Sequence, residues 1–231
     1  MLEIEQLEVG YGESMIMRGA ALQVKMGQVV CLMGRNGVGK TTLLRGVMGL
    51  LRPRRGSIRL DGRDITRLQP EERARLGIGY VPQGRDIFPQ LTVEENLLLG
   101  LEATRGRIRK LPEAVFGMFP VLHEMLQRKG GDLSGGQQQQ LAIARALVAE
   151  PKLLLLDEPM EGIQPSIVMD IEKAIESLKA RRDMAILLVE QSLTFATSIA
   201  DYYYVLDKGT VVAQGSSSDL SEDQVKKHLV V

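Results

Sequence analysis

Short apolar segments alternate with segments of helical periodicity along the chain, and this alternation predicts a β-sheet flanked by α-helices. Residues 153–156 and 185–189 are apolar at every position, which is typical of central parallel strands covered on both faces. Residues 57–60 end at an Asp-Gly pair, a turn signal that favours an antiparallel ribbon near the amino terminus. The predicted strands are residues 2–9, 21–25, 28–33, 57–60, 78–81, 153–156, 185–189 and 202–206.

A long helical segment separates the predicted strands 78–81 and 153–156. About seventy residues lie between them, which is too many for a simple crossover connection. Thr92 and Glu95 have the spacing of a capping box ahead of an apolar run. Pro112 predicts the start of another helical run that continues through Met125. We therefore predict a helical insertion over residues 85–149 within one domain that spans residues 1–231.

The composition and the longest apolar runs limit the classes of partner. Lys plus Arg and Asp plus Glu both number 29, so the net charge predicts no nucleic-acid partner. The amino terminus lacks a basic, apolar leader, and no apolar run approaches the roughly 18 residues of a membrane-spanning helix. The single Cys31 is expected to be buried, and His123 and His228 to lie at the surface. These features predict a cytoplasmic protein that reaches a membrane only through a partner.

A phosphate-binding loop is the first chemical signal. Residues 34–42 match the pattern G-x-x-x-x-G-K-[ST] between an apolar strand and a helix, which is the context that this motif requires. Glycines let backbone N–H groups turn onto phosphate, the helix dipole favours the anion, and Lys40 adds a point charge. A glycine-rich turn without a ligand is the disfavoured alternative. The predicted nucleotide-binding residues of this loop are Gly34, Arg35, Asn36, Gly37, Val38, Gly39, Lys40, Thr41 and Thr42, with Thr41 also as a Mg²⁺ ligand.

Two adjacent carboxylates follow the apolar strand 153–156. Asp157 at a strand end can hold Mg²⁺ or its water beside the phosphate loop. Glu158 is placed to act as the general base that polarises an attacking water. Adjacent acids could also begin a solvated loop, an interpretation that the phosphate loop makes unfavourable.

The segment LSGGQQQQLAIAR predicts a helix that begins at two glycines. Ser134 and Gln137 form a capping box, while Gly135 and Gly136 remove side chains from the first turn. We interpret the bare, positively polarised helix start as a second phosphate contact that requires close approach of a ligand. A second anion site is explained if two such domains pair head to tail, each contributing one site to the same nucleotide.

These motifs, in this order and spacing, resemble the ATP-binding subunit of an ABC transporter over essentially the whole chain. The resemblance implies a RecA-like P-loop core sheet flanked by helices, with an antiparallel subdomain at the amino terminus and a helical insertion. It implies a dimer that encloses ATP and Mg²⁺ between two cassettes. It also implies that Tyr11 stacks on adenine and that Gln83 links the γ-phosphate and Mg²⁺ to the helical insertion.

Two departures from the general family pattern point to a branch. Gln164 stands where many members have Asp, and Gln191 stands where many have a histidine. Gln191 can still donate a hydrogen bond to the γ-phosphate but cannot become charged. The departures are similar to the branched-chain amino acid and urea uptake branch, most of all to the urea or amide transporter ATPases. That branch implies a second ATPase subunit, two permeases, an external solute-binding protein and a position at the cytoplasmic face of the inner membrane.

The resemblance also predicts a surface that contacts the permease, and two alternative functions stay open. It implies that residues 84–99 receive the permease, with Phe88 and Leu91 as apolar contacts. The basic run 105–110 is interpreted as a solvated loop, with lipid headgroups or permease loops as the alternative. The rival functions are a soluble ABC ATPase outside transport and a regulatory subunit with weak hydrolysis.

Overall fold

The strands of this computed structural model, which describes residues 1–219, form two sheets. A four-stranded antiparallel sheet has the order β2-β1-β4-β5, and a six-stranded sheet has the order β10-β9-β3-β8-β7-β6. The strands are β1 (Leu2–Tyr11), β2 (Ser14–Val24), β3 (Val29–Met33), β4 (Arg55–Leu60), β5 (Arg63–Asp64), β6 (Ile78–Val81), β7 (Leu153–Asp157), β8 (Ala185–Val189), β9 (Tyr202–Asp207) and β10 (Thr210–Ser216).

The six-stranded sheet is parallel except at one edge. Strands β9, β3, β8, β7 and β6 pair in parallel, and only β10 runs antiparallel to its neighbour β9. Every residue of β3, β7 and β8 is buried, as their uniform apolar sequence predicts. The strand prediction was incomplete, and the short strand β5 is one of the elements that it missed. It also missed β10, and it began β2 at residue 21 instead of Ser14 because Arg18 and Gly19 interrupt the apolar pattern.

The helices cover both faces of the six-stranded sheet. They are α1 (Lys40–Met48), α2 (Pro70–Arg75), α3 (Val93–Gly100), α4 (Glu113–Met118), α5 (Pro120–Glu124), α6 (Gly135–Leu147), α7 (Pro165–Arg181) and α8 (Leu193–Ile199). Alternate residues of β7 belong to different apolar clusters. Leu154 and Leu156 belong to the cluster that contains α3, α6 and α7, whereas Leu153 and Leu155 belong to the one that contains α1 and the antiparallel sheet. This period of two follows from strand geometry.

The segment between β6 and β7 is less helical than the sequence predicts. The capping box ahead of α3 is present, because Glu95 N–H donates to Thr92 Oγ1 at 3.1 Å and Thr92 N–H donates to Glu95 Oε2 at 2.7 Å. Residues 82–92 and 105–112, however, are not helical. The single helical run predicted over 112–125 was wrong, since it breaks into α4 and α5 at Phe119 (φ −131°, ψ 73°). Pro120 lacks an N–H and excludes the helical conformation from the residue before it. A helical subdomain over 85–149 within one domain stays a prediction.

A buried arginine ties α1 to α2. Arg73 is 1% exposed, and its guanidinium donates to the carbonyls of Gly46 at 2.8 Å, Val47 at 2.7 Å, Thr66 at 2.9 Å and Leu68 at 3.0 Å. Two of these carbonyls belong to the last turn of α1, where helical carbonyls lack their regular helical donors, although Gly46 also accepts the N–H of Gly49 at 3.1 Å. Burial lowers the pKa of Arg73 to about 10. Arg73 thereby anchors the far end of the helix that begins at the phosphate loop.

Three further predictions concern single residues and membrane spans. Cys31 is buried, and burial raises the pKa of its thiol. His123 is exposed as predicted, with its ring 5.1 Å from that of Phe116, whereas His228 lies outside the described residues. None of the helices within residues 1–219 has the length and apolar character needed to cross a bilayer.

Candidate nucleotide site

The carboxyl ends of three parallel strands gather the predicted chemical residues at one edge of the sheet. The phosphate loop follows β3, Asp157 ends β7, and Gln191 comes two residues after β8. Because β8 pairs in parallel with both other strands, these ends meet. This position, outside the carboxyl ends of parallel strands, is where open α/β sheets bind ligands.

The phosphate loop requires glycine for steric reasons that the structure shows. Gly39 has φ 111°, and a Cβ there would lie 2.8 Å from Met17 Sδ. A Cβ on Gly34 would lie 2.5 Å from the carbonyl oxygen of Leu206. The loop therefore packs against β2 and β9 so closely that only glycine fits at these two positions. Of the remaining predicted residues, Arg35, Asn36 and Gly37 are exposed, Val38 and Thr41 are partly buried, and Thr42 is buried.

Lys40 is turned inward and pairs with the predicted general base. It is 4% exposed, and its Nζ donates to the carbonyls of Gly34 at 2.9 Å and Arg35 at 3.1 Å. The same Nζ lies 3.3 Å from Glu158 Oε1, and the Glu158 side chain is only 8% exposed. An ion pair at this depth is weakly screened by solvent. The predicted phosphate-binding cation and the predicted general base are therefore neighbours.

Asp157 and Thr41 form the candidate metal site. Thr41 Oγ1 donates to Asp157 Oδ1 at 3.1 Å, and Asp157 is fully buried. Its second oxygen, Oδ2, has no hydrogen-bond partner. Burial raises the pKa of Asp157, and the Thr41 hydrogen bond opposes that shift. A hydroxyl and an unpartnered carboxylate oxygen suit Mg²⁺, which takes one or two carboxylates and completes its shell with phosphate and water. Accordingly, residues 1–219 hold no cluster of three or more potential ligands among His, Cys, Asp and Glu.

Glu158 is the centre of the hydrogen-bond network. Gln191 Nε2 donates to Glu158 Oε1 at 2.8 Å, and Gln83 Nε2 donates to Glu158 Oε2 at 3.3 Å. Gln83 also donates to Glu161 Oε2 at 2.8 Å, a contact that the sequence interpretation missed. Glu158 has φ 49°, and a left-handed conformation of this kind in a side-chain-bearing residue is often found at functional sites. Gln83, Lys40, Glu158 and Gln191, predicted separately, therefore lie in one contact group.

Glu190 is a second residue that the sequence interpretation missed. It is 6% exposed, and its Oε2 accepts the backbone N–H groups of Gln191 at 2.8 Å and Ser192 at 3.2 Å. Burial raises the pKa of Glu190. The carboxylate fixes the turn that presents Gln191 to Glu158. An acid directly before Gln191 was the signal available in the sequence.

A cavity of about 320 Å³ opens over these groups, and Tyr11, Asn36, Lys40, Thr41, Gln83 and Glu158 are among its lining residues. Cavities of about 540 and 560 Å³ lie elsewhere on the chain, so chemistry and not size identifies the site. Tyr11 is 43% exposed, and its hydroxyl accepts a hydrogen bond from Arg45 Nη1 at 3.1 Å. The ring thus stands at the rim of the cavity.

The start of α6 lies apart from this cavity, whose lining includes none of residues 134–137. The predicted capping box is present: Gln137 N–H donates to Ser134 Oγ at 3.3 Å, and Ser134 N–H donates to Gln137 Oε1 at 3.0 Å. Both glycines also meet side chains of their own chain. A Cβ on Gly135 would lie 2.8 Å from Arg85 Nη1, and one on Gly136 would lie 2.8 Å from Ile167 Cγ1. These contacts are a second reason for glycine, and the close approach of a ligand stays a prediction.

The fold and the site define a phosphate-loop ATPase. The chain belongs to the ABC transporter family, whose model matches residues 17–161, and it is an ATP-hydrolysing cassette of that family. Solved structures agree. The dimeric structure of a post-hydrolysis state of the ATP-binding cassette MJ0796 bound to ADP and Pi has a TM-score of 0.84 and 26% identity, covering 94% of this chain and 99% of that one.

Three relatives represent two transport classes. The high-affinity branched-chain amino acid transport ATP-binding protein BraG of Pseudomonas aeruginosa is 39% identical, covering 95% of this chain and 94% of BraG. The probable branched-chain amino acid transport ATP-binding protein LivF of Archaeoglobus fulgidus is 37% identical, with 97% and 95% covered. The lipopolysaccharide export system ATP-binding protein LptB of Acidithiobacillus ferridurans is 36% identical, with 99% and 95% covered.

Proposed function

We propose that this chain hydrolyses ATP to energise an importer of branched-chain amino acids or of urea and related amides. The observation that carries the hydrolytic part is the contact group around Glu158, which joins the phosphate-loop lysine to two amide side chains. The import part is supported by the similarity to BraG and LivF. For urea or amides the support is the resemblance carried by Gln164, Gln191 and the segment EGIQPS, and Gln164 is exposed just before α7.

Each residue of the site has a proposed role toward ATP. Backbone N–H groups of residues 34–39 and Lys40 hold the β- and γ-phosphates, because a helix start and a fixed cation both favour the anion. Tyr11 stacks its ring on adenine. Thr41 and Asp157 would hold Mg²⁺, with Gln83 beside it. Mg²⁺ supplies charge neutralisation on the phosphate oxygens.

Glu158 and Gln191 carry the hydrolytic step. Glu158 accepts a proton from water while the water oxygen bonds to the γ-phosphorus, and the bond from phosphorus to the β,γ-bridging oxygen breaks to leave ADP. Gln191 donates a hydrogen bond to the γ-phosphate. Glu158 must first exchange its ion pair with Lys40 for the water, and the arriving phosphate provides a competing anion for that lysine.

The complete site is proposed to need two cassettes. Ser134 and residues 135–137 lie outside the cavity of their own chain, so a second cassette, identical or different, supplies its helix start to the nucleotide. Two permeases and, indirectly, an external solute-binding protein complete the importer. This assembly places the chain at the cytoplasmic face of the inner membrane, with residues 84–99 toward the permease.

The hydrolytic proposal is tested by phosphate release from ATP. Glu158→Gln should lower turnover by about 10²- to 10⁴-fold, the usual contribution of a general base. The matched control is Glu176→Gln, a change of the same kind at an exposed residue of α7. Equal turnover by the Glu158→Gln variant and the wild type would contradict the proposal.

Lipopolysaccharide export is a second candidate function, and the 36% identity to LptB over 99% of the chain favours it. The native complex, purified with its permeases and reconstituted into vesicles, distinguishes the two. Import predicts ATPase stimulation by the loaded solute-binding protein, with leucine or urea as the solute. Stimulation by lipopolysaccharide alone would favour export and overturn the import assignment.

A further inference from the structure

The loop that follows Gln83 has an unusual backbone. Gly84, Arg85 and Asp86 have φ values of 88°, 75° and 47°, so three consecutive residues occupy the left-handed region. Arg85 and Asp86 have side chains that disfavour this conformation. Such a conformation persists only where surrounding contacts hold it in place. The contacts that hold this loop therefore indicate what the loop is for.

Helix α6 holds the loop at two places. Arg145 Nη2 donates to the carbonyl of Asp86 at 2.7 Å and lies 3.5 Å from the carbonyl of Arg85. Nearer the start of the helix, Arg85 Nη1 donates to Gln138 Oε1 at 3.3 Å. The loop that carries Gln83 at one end is thus attached to both halves of α6.

The Arg85 guanidinium also lies directly on the first turn of α6. A Cβ on Gly135 would come within 2.8 Å of Nη1, 3.0 Å of Nη2 and 3.2 Å of Cζ, so the planar group covers this glycine. A cation at a helix amino terminus is electrostatically unfavourable, because that end carries the positive pole of the helix dipole. Stabilisation of α6 therefore does not explain why the Arg85 guanidinium lies here. A role of Arg85 in positioning the start of α6 does explain it.

We propose that Arg85 is a positioning residue that sets the geometry of Ser134–Gln137, and that Gly135 is glycine to admit the Arg85 guanidinium. Through this contact, the loop that carries Gln83 in one nucleotide site fixes the helix start that serves the other site. The inference rests on the proposed pairing of two cassettes. It makes a movement of residues 84–86 and a movement of the helix start one event.

A double-mutant cycle tests the contact. Arg85→Ala and Gly135→Ala should each lower the ATPase kcat about tenfold, and the double variant should also be about tenfold slower than wild type, because the second change removes nothing further. A double variant about a hundredfold slower would show independent effects and overturn the proposal. Gly135 would then be required for a different reason, such as approach of the nucleotide.

A split between binding and turnover separates positioning from general damage. The Kd of the isolated chain for mant-ATP should stay within about twofold in Arg85→Ala, since Arg85 does not line the phosphate-loop cavity. Arg85→Lys should recover only part of kcat, because an ammonium cannot lie flat on Gly135. Complete recovery with Lys, or loss of mant-ATP binding with Ala, would contradict the positioning role.

Arg105→Ala is the matched control, because Arg105 is exposed and also has a positive φ of 51°. It should leave both kcat and the mant-ATP Kd unchanged. Wild-type protein without ATPase activity would refute the proposed function. Active wild type with an equally active Arg85→Ala variant would refute only the role of Arg85.

Discussion

Replacing Asp157 by Asn should stabilise the chain when neither nucleotide nor Mg²⁺ is added, although it changes a proposed metal ligand. Asp157 is fully buried, its Oδ1 accepts one hydrogen bond from Thr41, and its Oδ2 has no partner. An amide of nearly the same shape keeps the Thr41 hydrogen bond and carries no charge. The substitution therefore removes a buried charge without leaving a cavity.

The direction of the effect follows from the pKa of Asp157, which burial raises above its ordinary value. An acid with a raised pKa binds its proton more tightly in the folded state than in the unfolded state. Above both pKa values the charge therefore destabilises the fold, and below the unfolded value this penalty is absent. The advantage of Asn should be greatest at neutral pH and should shrink as the pH falls through the interval between the two values.

The size of the stabilisation by Asp157→Asn can be estimated from Asp157 Oδ2, which has no hydrogen-bond partner. A buried polar group without a hydrogen bond costs about 1–3 kcal/mol, and the amide keeps part of that penalty through its own NH₂. A net gain of about 1–2 kcal/mol corresponds to a rise of roughly 2–8 °C in Tm for a chain of this size. Addition of Mg²⁺ and ATP should reverse the order, because ligand binding stabilises the wild type more.

Thermal unfolding at pH 7.5 and near pH 5 measures this difference directly. Asp132→Asn is the control, since Asp132 is exposed and its charge should contribute little. A lower Tm for Asp157→Asn at pH 7.5 without ligands would refute the reasoning. A rise in Tm that is as large at acid pH as at pH 7.5 would also refute the reasoning, because the Asp157 charge would then not be the source of the rise.

Three further substitutions test separate parts of the structure. Arg73→Met should lower the free energy of unfolding by about 1–3 kcal/mol in urea, because two buried and two partly buried carbonyls lose the Arg73 donor; no measurable loss would contradict this. Tyr11→Ala should raise the KM for ATP with little change in kcat, whereas Tyr11→Phe, which keeps the ring, should resemble wild type. Equal KM values for the Ala and Phe variants would exclude stacking. Ser134→Arg should leave mant-ATP binding by one chain intact and abolish the ATP-dependent dimer in light scattering; a normal dimer would contradict the two-cassette site.

Local patterns were sufficient where the chemistry depends on neighbouring residues. The phosphate loop and the pair Asp157 and Glu158 were predictable because strand, loop and acid are contiguous in the sequence. Uniformly apolar runs identified β7 and β8, since a strand covered on both faces needs no polar alternation. The ABC transporter family was correctly predicted from these motifs together.

Contacts between distant segments were not predictable. The pattern for β2 failed because this edge strand pairs with β1 through register shifts, so its apolar positions do not alternate regularly. The burial of Arg73 depends on the last turn of α1, which is about 26 residues away along the chain. The contacts of Gly135 with Arg85 and of Gly136 with Ile167 were missed, because these partners are distant in the sequence.

The ion pair between Lys40 and Glu158 has a consequence for energy conservation. In the structure, Glu158 Oε1 is already occupied by Lys40 Nζ at 3.3 Å and by Gln191 Nε2 at 2.8 Å, so this oxygen is not free for the water of the proposed reaction. A phosphate group that binds Lys40 would compete with this ion pair and free Glu158 for its proposed role. Under the proposed function, this ion pair makes hydrolysis depend on a triphosphate that is correctly bound at Lys40.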